Sequence, residues 1–315
     1  MDVKPWVVVL AGGQGTRLQS FLRQVLGTER PKQFCRIIGS RSMLRHTWDR
    51  GSQLQHPIRM VTVITAGQER FLEEEDVIPG HVLVQPANKD TAPGLLLPLL
   101  WIAQRDPDAT VVVFPADHFI WEEARFLAHV RAAVEAAACF RDRLVVLGVE
   151  ADGPERGYGW IAPGSPCEAG GGAELYQVRR FWEKPDRPTV ARLCASGYLW
   201  NTFVLAGYLT VFLRSARAAM PEILEPLVAA AASLGTRSEA EVLAATYRAL
   251  RPTDVSQALL ARRPEDLLVL PTRGVYWSDW GDAQRILRTL RRFDRRPGWL
   301  PVAARFLAAG GEYPG

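Results

Sequence analysis

Short, almost unbroken apolar runs separated by amphipathic stretches organise the first half of the chain. The runs fall at residues 7–10, 60–64, 82–84, 110–114 and 144–149. Runs this short and this apolar suit strands buried on both faces. Between them, the spacing of apolar positions predicts helices over 43–50, 68–74, 92–104 and 122–138. Strands alternating with helices predict a doubly wound α/β unit over residues 1–150, its sheet mostly parallel and covered on both sides.

The texture changes after Glu150. Gly and Pro are dense from Gly153 to Gly172, and the Gly170-Gly171-Gly172 run reads as an exposed loop. Strands are predicted over 158–162, 175–183 and 199–206. Ala-rich helices follow between 207 and 261, with the alanine run 229–232 as a helix interior. Two late strands (267–270 and 274–277) and a basic helix over 283–293 complete the pattern. No repeat or clear linker interrupts it. The expectation is one continuous domain over 1–315, with a first half to residue 150, a second to 282 and a helical tail beyond.

Composition changes this picture little. At 48% hydrophobic and 23% charged, 315 residues can bury a full core, and no apolar run reaches membrane-spanning length. The N-terminal MDVKPWVVVL lacks a small-residue cleavage site and reads as a first strand, not a signal peptide. The net charge of +4 fits a solvated basic surface, to which a site for anionic small molecules would add. Basic clusters interleaved with aromatics are lacking, so no nucleic-acid partner is expected. Cys35, Cys139, Cys167 and Cys194 form no CxxC and have no zinc spacing. They read as reduced thiols of a cytoplasmic protein.

The candidate chemistry begins where the first run meets VVVLAGGQGTRL. A Walker loop would need GxxxxGK[ST], and a dinucleotide fingerprint a third glycine where Leu18 stands; neither fits. What remains is GGxGTR straight after a strand. Gly12, Gly13 and Gly15 let backbone amides approach an anion, and Arg17 adds a fork suited to phosphate oxygens. The glycines alone also fit an ordinary strand-to-helix turn. Asp117 closes the run TVVVFPAD, at the carboxyl edge where open α/β sheets bind ligands, and Asp279 follows the last strand. Each is equally readable as a turn or helix-capping residue. No convincing Ser–His–Asp or Cys–His arrangement is present.

LAGGQGTRL followed by Pro31-Lys32-Gln33-Phe34 resembles the sugar-1-phosphate nucleotidyltransferases, and among them the mannose-1-phosphate guanylyltransferases. Further matches follow in family order: Thr91-Ala92-Pro93, Pro115-Ala116-Asp117-His118, Gly157-Tyr158-Gly159, Glu183-Lys184-Pro185, Trp200-Asn201 and Trp277-Ser278-Asp279. The resemblance implies a Rossmann-like α/β fold of the nucleotide-diphospho-sugar transferase type, with a mostly parallel mixed sheet and C-terminal helices. It implies Mg²⁺-dependent transfer of GMP from GTP to mannose 1-phosphate, giving GDP-mannose and pyrophosphate. An attacking phosphate monoester is already ionised at neutral pH, so this reaction needs no general base.

Site residues follow from the resemblance too. Leu10, Ala11, Gly12, Gly13, Gly15, Thr16, Arg17, Lys32, Gln85, Asp90 and Thr91 would bind the nucleotide. Gly157, Tyr158, Gly159, Glu183, Lys184 and Asn201 would bind the sugar phosphate. Asp117 and Asp279 would hold the metal, and Arg17, Lys32 and Lys184 would meet phosphates. An ion pair between Glu183 and Lys184 is not expected, because neighbours on a strand face opposite ways. Asn201 is expected both to donate to and to accept from a sugar ring. Gly157 and Gly159 are expected to let backbone approach the hexose. His118 is expected to support the site rather than react. The expected partners are small molecules, with no membrane, and the resemblance allows a homodimer.

The chain also departs from the family pattern. In the base loop Gln85 replaces an acid, Asn88 a glycine and Asp90 an asparagine. Asp90 is compatible with guanine, whose N1 and N2 donors suit a carboxylate, and equally with starting the next helix. Gln85 would suit thymine or uracil. The alternatives are therefore the same chemistry with dTTP or UTP and glucose 1-phosphate, or a silent nucleotide-sugar-binding regulator. Residues 18–31 read as a longer loop over the triphosphate, and Thr202-Phe203 replaces Ser-Gly, crowding the sugar pocket. Neither an isomerase domain nor a hexapeptide-repeat tail is expected.

Overall fold

The computed structural model describes residues 3–168 and 174–308, so the triple-glycine run lies outside the described residues. The first half runs β1 (Trp6–Leu10), α1 (Gln19–Leu26), α2 (Met43–Ser52), β2 (Met60–Thr65), α3 (Glu69–Leu72), β3 (His81–Gln85), α4 (Thr91–Ala103), β4 (Thr110–Pro115), β5 (Phe119–Trp121), α5 (Glu123–Cys139) and β6 (Leu144–Glu150). The second runs β7 (Gly159–Glu168), β8 (Glu174–Glu183), α6 (Arg187–Ala195), β9 (Leu199–Tyr208), α7 (Leu209–Ala219), α8 (Pro221–Ala231), α9 (Glu239–Ala249), β10 (Leu267–Thr272), β11 (Tyr276–Ser278), α10 (Ala283–Arg292) and α11 (Leu300–Ala308).

Nine strands form one mixed sheet in the order β3-β2-β1-β4-β9-β6-β10-β8-β7. β3, β2, β1 and β4 are parallel, as are β6 and β10. β9 lies antiparallel between β4 and β6, and β8 antiparallel between β10 and β7. The apolar runs show no alternation because both faces are covered. Val8, Val111 and Val113 pack into a core with α4, α7 and α8, whereas Val7, Val9 and Val112 point into a second core with α2 and α5.

Several predicted elements change. The helix expected over 68–74 shrinks to the single turn α3, and the alanine run ends α8 instead of lying inside it. The segment expected as a loop over the triphosphate is largely the helix α1, stopped by Gly27 in a left-handed conformation (φ 68). Its apolar residues Phe21, Leu22 and Val25 form a third cluster with Trp280, Ile286, Leu290 and Trp299. The periodicity of α1 thus serves the C-terminal helices. All four cysteines are free, and burial pushes the Cys35 thiol up to about 12.

Candidate active site

The glycine loop leaves β1 with its carbonyls held from behind. The Thr65 hydroxyl donates to the Gly12 carbonyl at 2.8 Å. The Gln33 and Gln68 amides donate to the Gly13 carbonyl at 2.7 and 3.0 Å, and Gln33 also donates to Ala11 at 2.5 Å. Among the described residues the amides of Gly13, Gln14 and Gly15 have no partner. Unpaired amides on a loop of this kind are suited to an anion. Gly15 is left-handed (φ 61), and a Cβ there would lie 3.1 Å from the Lys32 backbone nitrogen, so the loop rests against the Pro-Lys turn. Arg17 is exposed, and no acidic partner pairs with it among the described residues.

The two candidate metal carboxylates meet because β5 and β11 pair antiparallel. Phe119 opposite Ser278 places the residues before one strand and after the other at the same end. Asp117 and Asp279 therefore flank Lys32. The buried Lys32 ammonium lies 2.9 Å from Asp117 Oδ2, donates to the Asp279 carbonyl and donates to the Trp280 carbonyl at 3.2 Å. Its three protons are thus directed at protein acceptors, whereas sequence reasoning assigned them to the phosphate chain. Burial opposes ionisation of Asp117, but Lys32 and His118 outweigh it; for Asp279, Arg285 and Lys32 do the same. Both carboxyls are held below the usual range. Burial lowers the pKa of His118, whose Nδ1 accepts from Trp277 Nε1 at 3.2 Å. Its Nε2 lies 3.7 Å from Asp117 Oδ1, so the ring stands beside the carboxylate.

The second half of the chain brings Glu183, Lys184 and Asn201 to the same cleft. Contrary to expectation, Lys184 Nζ lies 2.8 Å from Glu183 Oε1. The strand ends at Glu183, and Lys184 takes a left-handed conformation (φ 46), which breaks the alternation that would have separated them. Burial, with Asp254 and Asp90 adding to it, raises the pKa of Glu183, and Lys184 offsets only part of this. Burial acts against the Lys184 charge, but Glu183 outweighs it, so the ammonium is the firmly charged member. Asn201 Oδ1 accepts from the Phe203 amide at 2.9 Å within a β-bulge, which leaves its NH₂ as the free donor. Gly157 and Gly159 make room for the protein's own side chains. A Cβ would lie 2.2 Å from Arg285 Nη2 at the first and 2.8 Å from Phe181 at the second.

These parts line one cleft of about 440 Å³. It collects Leu10, Gly12, Gly13, Arg17, Lys32, Gln85, Asp90, Thr91, Asp117, Gly157, Tyr158, Gly159, Glu183, Lys184, Asn201 and Asp279. Gly15 and Thr16 line an adjoining bay that shares Arg17, Lys32 and Asp117. Ala11 does not reach the cleft; its side chain continues the inward face of β1 into the core. Asp279 is not a helix cap: that role falls to Asp282, which accepts from Arg285. Asp90 caps α4, accepting from the Thr91 amide, and still faces the cleft. Gln33, Phe203, Asp254, Ser256 and Gly281 also line it. Phe203, expected to crowd the sugar pocket, does line the cleft; Gln33 stands in a motif with no role assigned, and Asp254 and Ser256 carry no motif.

Residues 6–294 match the family model described as "Nucleotidyl transferase". The chain belongs to that family. It is 31% identical over 293 residues to the xanthan biosynthesis protein XanB of Xanthomonas campestris pv. campestris (strain B100), covering 91% of this chain and 59% of that one. It is 34% identical over 229 residues to a mannose-1-phosphate guanylyltransferase of Klebsiella pneumoniae, covering 71% and 47%. The chain thus spans about half to three-fifths of the length of these relatives. A crystal structure described as mannose-1-phosphate geranyltransferase from Thermus thermophilus superposes with a TM-score of 0.74 at 26% identity, over 91% of this chain and 79% of that one. UDP-glucose pyrophosphorylase complexed with UDP-glucose, at 13% identity and a TM-score of 0.56 over 92% and 98%, shares the fold. The family resemblance and the fold class read from the motifs are both borne out.

Proposed function

We propose that the chain transfers a nucleotidyl group from GTP to mannose 1-phosphate, releasing pyrophosphate and forming GDP-mannose. One observation carries the reading. A single cleft holds free amides and Arg17 on the loop after β1, Lys184 with Glu183 and Asn201 from the second half of the chain, and two ionised carboxylates, Asp117 and Asp279, in its wall. Two polyanions need that division of cationic groups to approach in line.

Guanine is supported by the base loop. The Gln85 amide donates to Thr65 at 2.9 Å and its oxygen faces Tyr247, so it is committed within the wall. Asp90 uses Oδ1 on its cap, and Oδ2 has no hydrogen-bond partner among the described residues. Mannose is supported by the name of the Klebsiella pneumoniae relative.

Mg²⁺ fits the donor set. The carboxylates are hard oxygen ligands held ionised, and Asp279 Oδ2 accepts no hydrogen bond among the described residues. Mg²⁺ is commonly held by one or two carboxylates together with phosphate oxygens and water. Bound there, the ion would neutralise triphosphate charge. The chain's own residues do the remainder. Arg17 and the loop amides bind the triphosphate, and Lys184 orients the attacking phosphate. Lys32, bonded to the Asp117 carboxylate and to the main-chain carbonyl of Asp279, ties the two residues together.

The test separates the two sets of cationic groups. Arg17→Ala should mainly raise KM for GTP, and Lys184→Ala mainly KM for mannose 1-phosphate. Each loss should be about 1.5–3 kcal/mol, the scale of a charge-assisted hydrogen bond. Lys184→Ala changing only GTP kinetics would reverse the placement of the two phosphates.

A further inference from the structure

We propose that Arg285 is a positioning residue, clamping the Asp279 carboxylate to the Gly157-Tyr158 turn so that the metal-binding and hexose-binding walls are held as one unit. The inference rests on the reading of the cleft given above. Arg285 projects from α10 behind the wall and does not line the cleft. Its Nη1 donates to Asp279 Oδ1 and its Nη2 to Glu155 Oε1, both at 2.7 Å. The guanidinium carbon lies 4.3 Å from the centre of the Tyr158 ring. Glu155 Oε1 also accepts from the Gly157 amide at 3.2 Å, so the fork reaches the hexose turn through both Glu155 and Tyr158.

The geometry does more than balance charge. A planar fork that bonds two carboxylates fixes their relative orientation, which a single ammonium cannot do. Asp279 Oδ1 is filled by Arg285 and by the Gly281 amide at 2.8 Å. Oδ2 accepts no hydrogen bond among the described residues, leaving one defined oxygen for a cation. Glycines stand at the two places where the clamp leaves no room. A Cβ at Gly157 would lie 2.2 Å from Nη2, and one at Gly281 would lie 2.9 Å from Nη1 and 2.6 Å from Asp279 Oδ2. The competing role is simple neutralisation, since Arg285 Nε also lies 3.1 Å from Asp282.

Arg285→Lys separates the two, because it keeps the charge and loses the fork. Gly157→Ala is the second variant: it keeps Arg285 and displaces its Nη2 from Glu155. The full chain is read in two ways. Mn²⁺ alone is titrated by electron paramagnetic resonance, with no nucleotide or sugar phosphate present, and kcat and KM are measured separately per folded molecule. For Arg285→Lys we expect Mn²⁺ binding about tenfold weaker, with KM for GTP within about twofold of wild type. Both variants should raise KM for mannose 1-phosphate severalfold. Wild-type Mn²⁺ affinity and wild-type mannose 1-phosphate KM in Arg285→Lys would overturn the proposal, leaving Arg285 a neutralising charge. So would losses explained entirely by a smaller folded fraction. Wild-type protein that releases no pyrophosphate from this substrate pair would refute the substrate reading alone, because the Mn²⁺ titration still reads the clamp.

Discussion

At the scale of single residues, the cleft depends on charges kept against burial. Asp117 and Asp279 stay ionised because Lys32, His118 and Arg285 surround them. Asp117→Asn and Asp279→Asn should each remove most turnover while leaving the fold intact, at a cost of roughly 3–5 kcal/mol in barrier, the scale of losing a key electrostatic group. Near-normal turnover in both at limiting Mg²⁺ would remove the metal assignment. Glu183 behaves in the opposite sense. Burial, with Asp254 and Asp90, raises its pKa, so acid protonates it before an ordinary glutamate. KM for mannose 1-phosphate should therefore rise on the acid side. Glu183→Gln should lack the part of that rise not due to the substrate's own phosphate, and a pH series of KM in both proteins reads the difference. The motif EKP was legible in the sequence. The ion pair inside it was not, because it depends on a left-handed backbone at Lys184 that no periodicity encodes.

At the scale of elements, long apolar runs were legible and short pairings were not. β5 and β11 are three residues each and lie far apart in sequence, yet their pairing brings Asp117 and Asp279 together. Each was readable as a carboxylate beside an apolar segment; what joined them was tertiary. The segment 18–31 misled for a related reason. Its apolar face packs on α10 and α11, so its helical identity becomes plain only beside them. Trp299 anchors that contact, donating to the Ile37 carbonyl at 2.8 Å and meeting Phe21 edge-on at 5.6 Å. Trp299→Ala should cost about 3–5 kcal/mol of stability, the range for deleting a buried tryptophan. Urea unfolding measures it, and a loss under about 1 kcal/mol would mean that the third cluster does not hold the C-terminal helices.

At the scale of the whole molecule, the sheet delivers two sets of groups to one cleft. The parallel strands end in the glycine loop, Gln85 and Asp117, and β8 and β9 bring Glu183 and Asn201 from the second half. Alternating strands and helices made the first half readable. The antiparallel insertion of β9 between β4 and β6 was not readable, because strand order is set by packing rather than by local pattern. No helix among the described residues is long and apolar enough to cross a membrane. The central claim is the identity of the two substrates, and a pyrophosphate-release panel tests it most directly. GTP, dTTP, UTP and ATP are each paired with mannose 1-phosphate and glucose 1-phosphate in the presence of Mg²⁺. The account predicts the highest kcat/KM for GTP with mannose 1-phosphate, GDP-mannose as the product by mass, and no release after chelation. Preference for dTTP or UTP with glucose 1-phosphate, or no release from any pair, would contradict it.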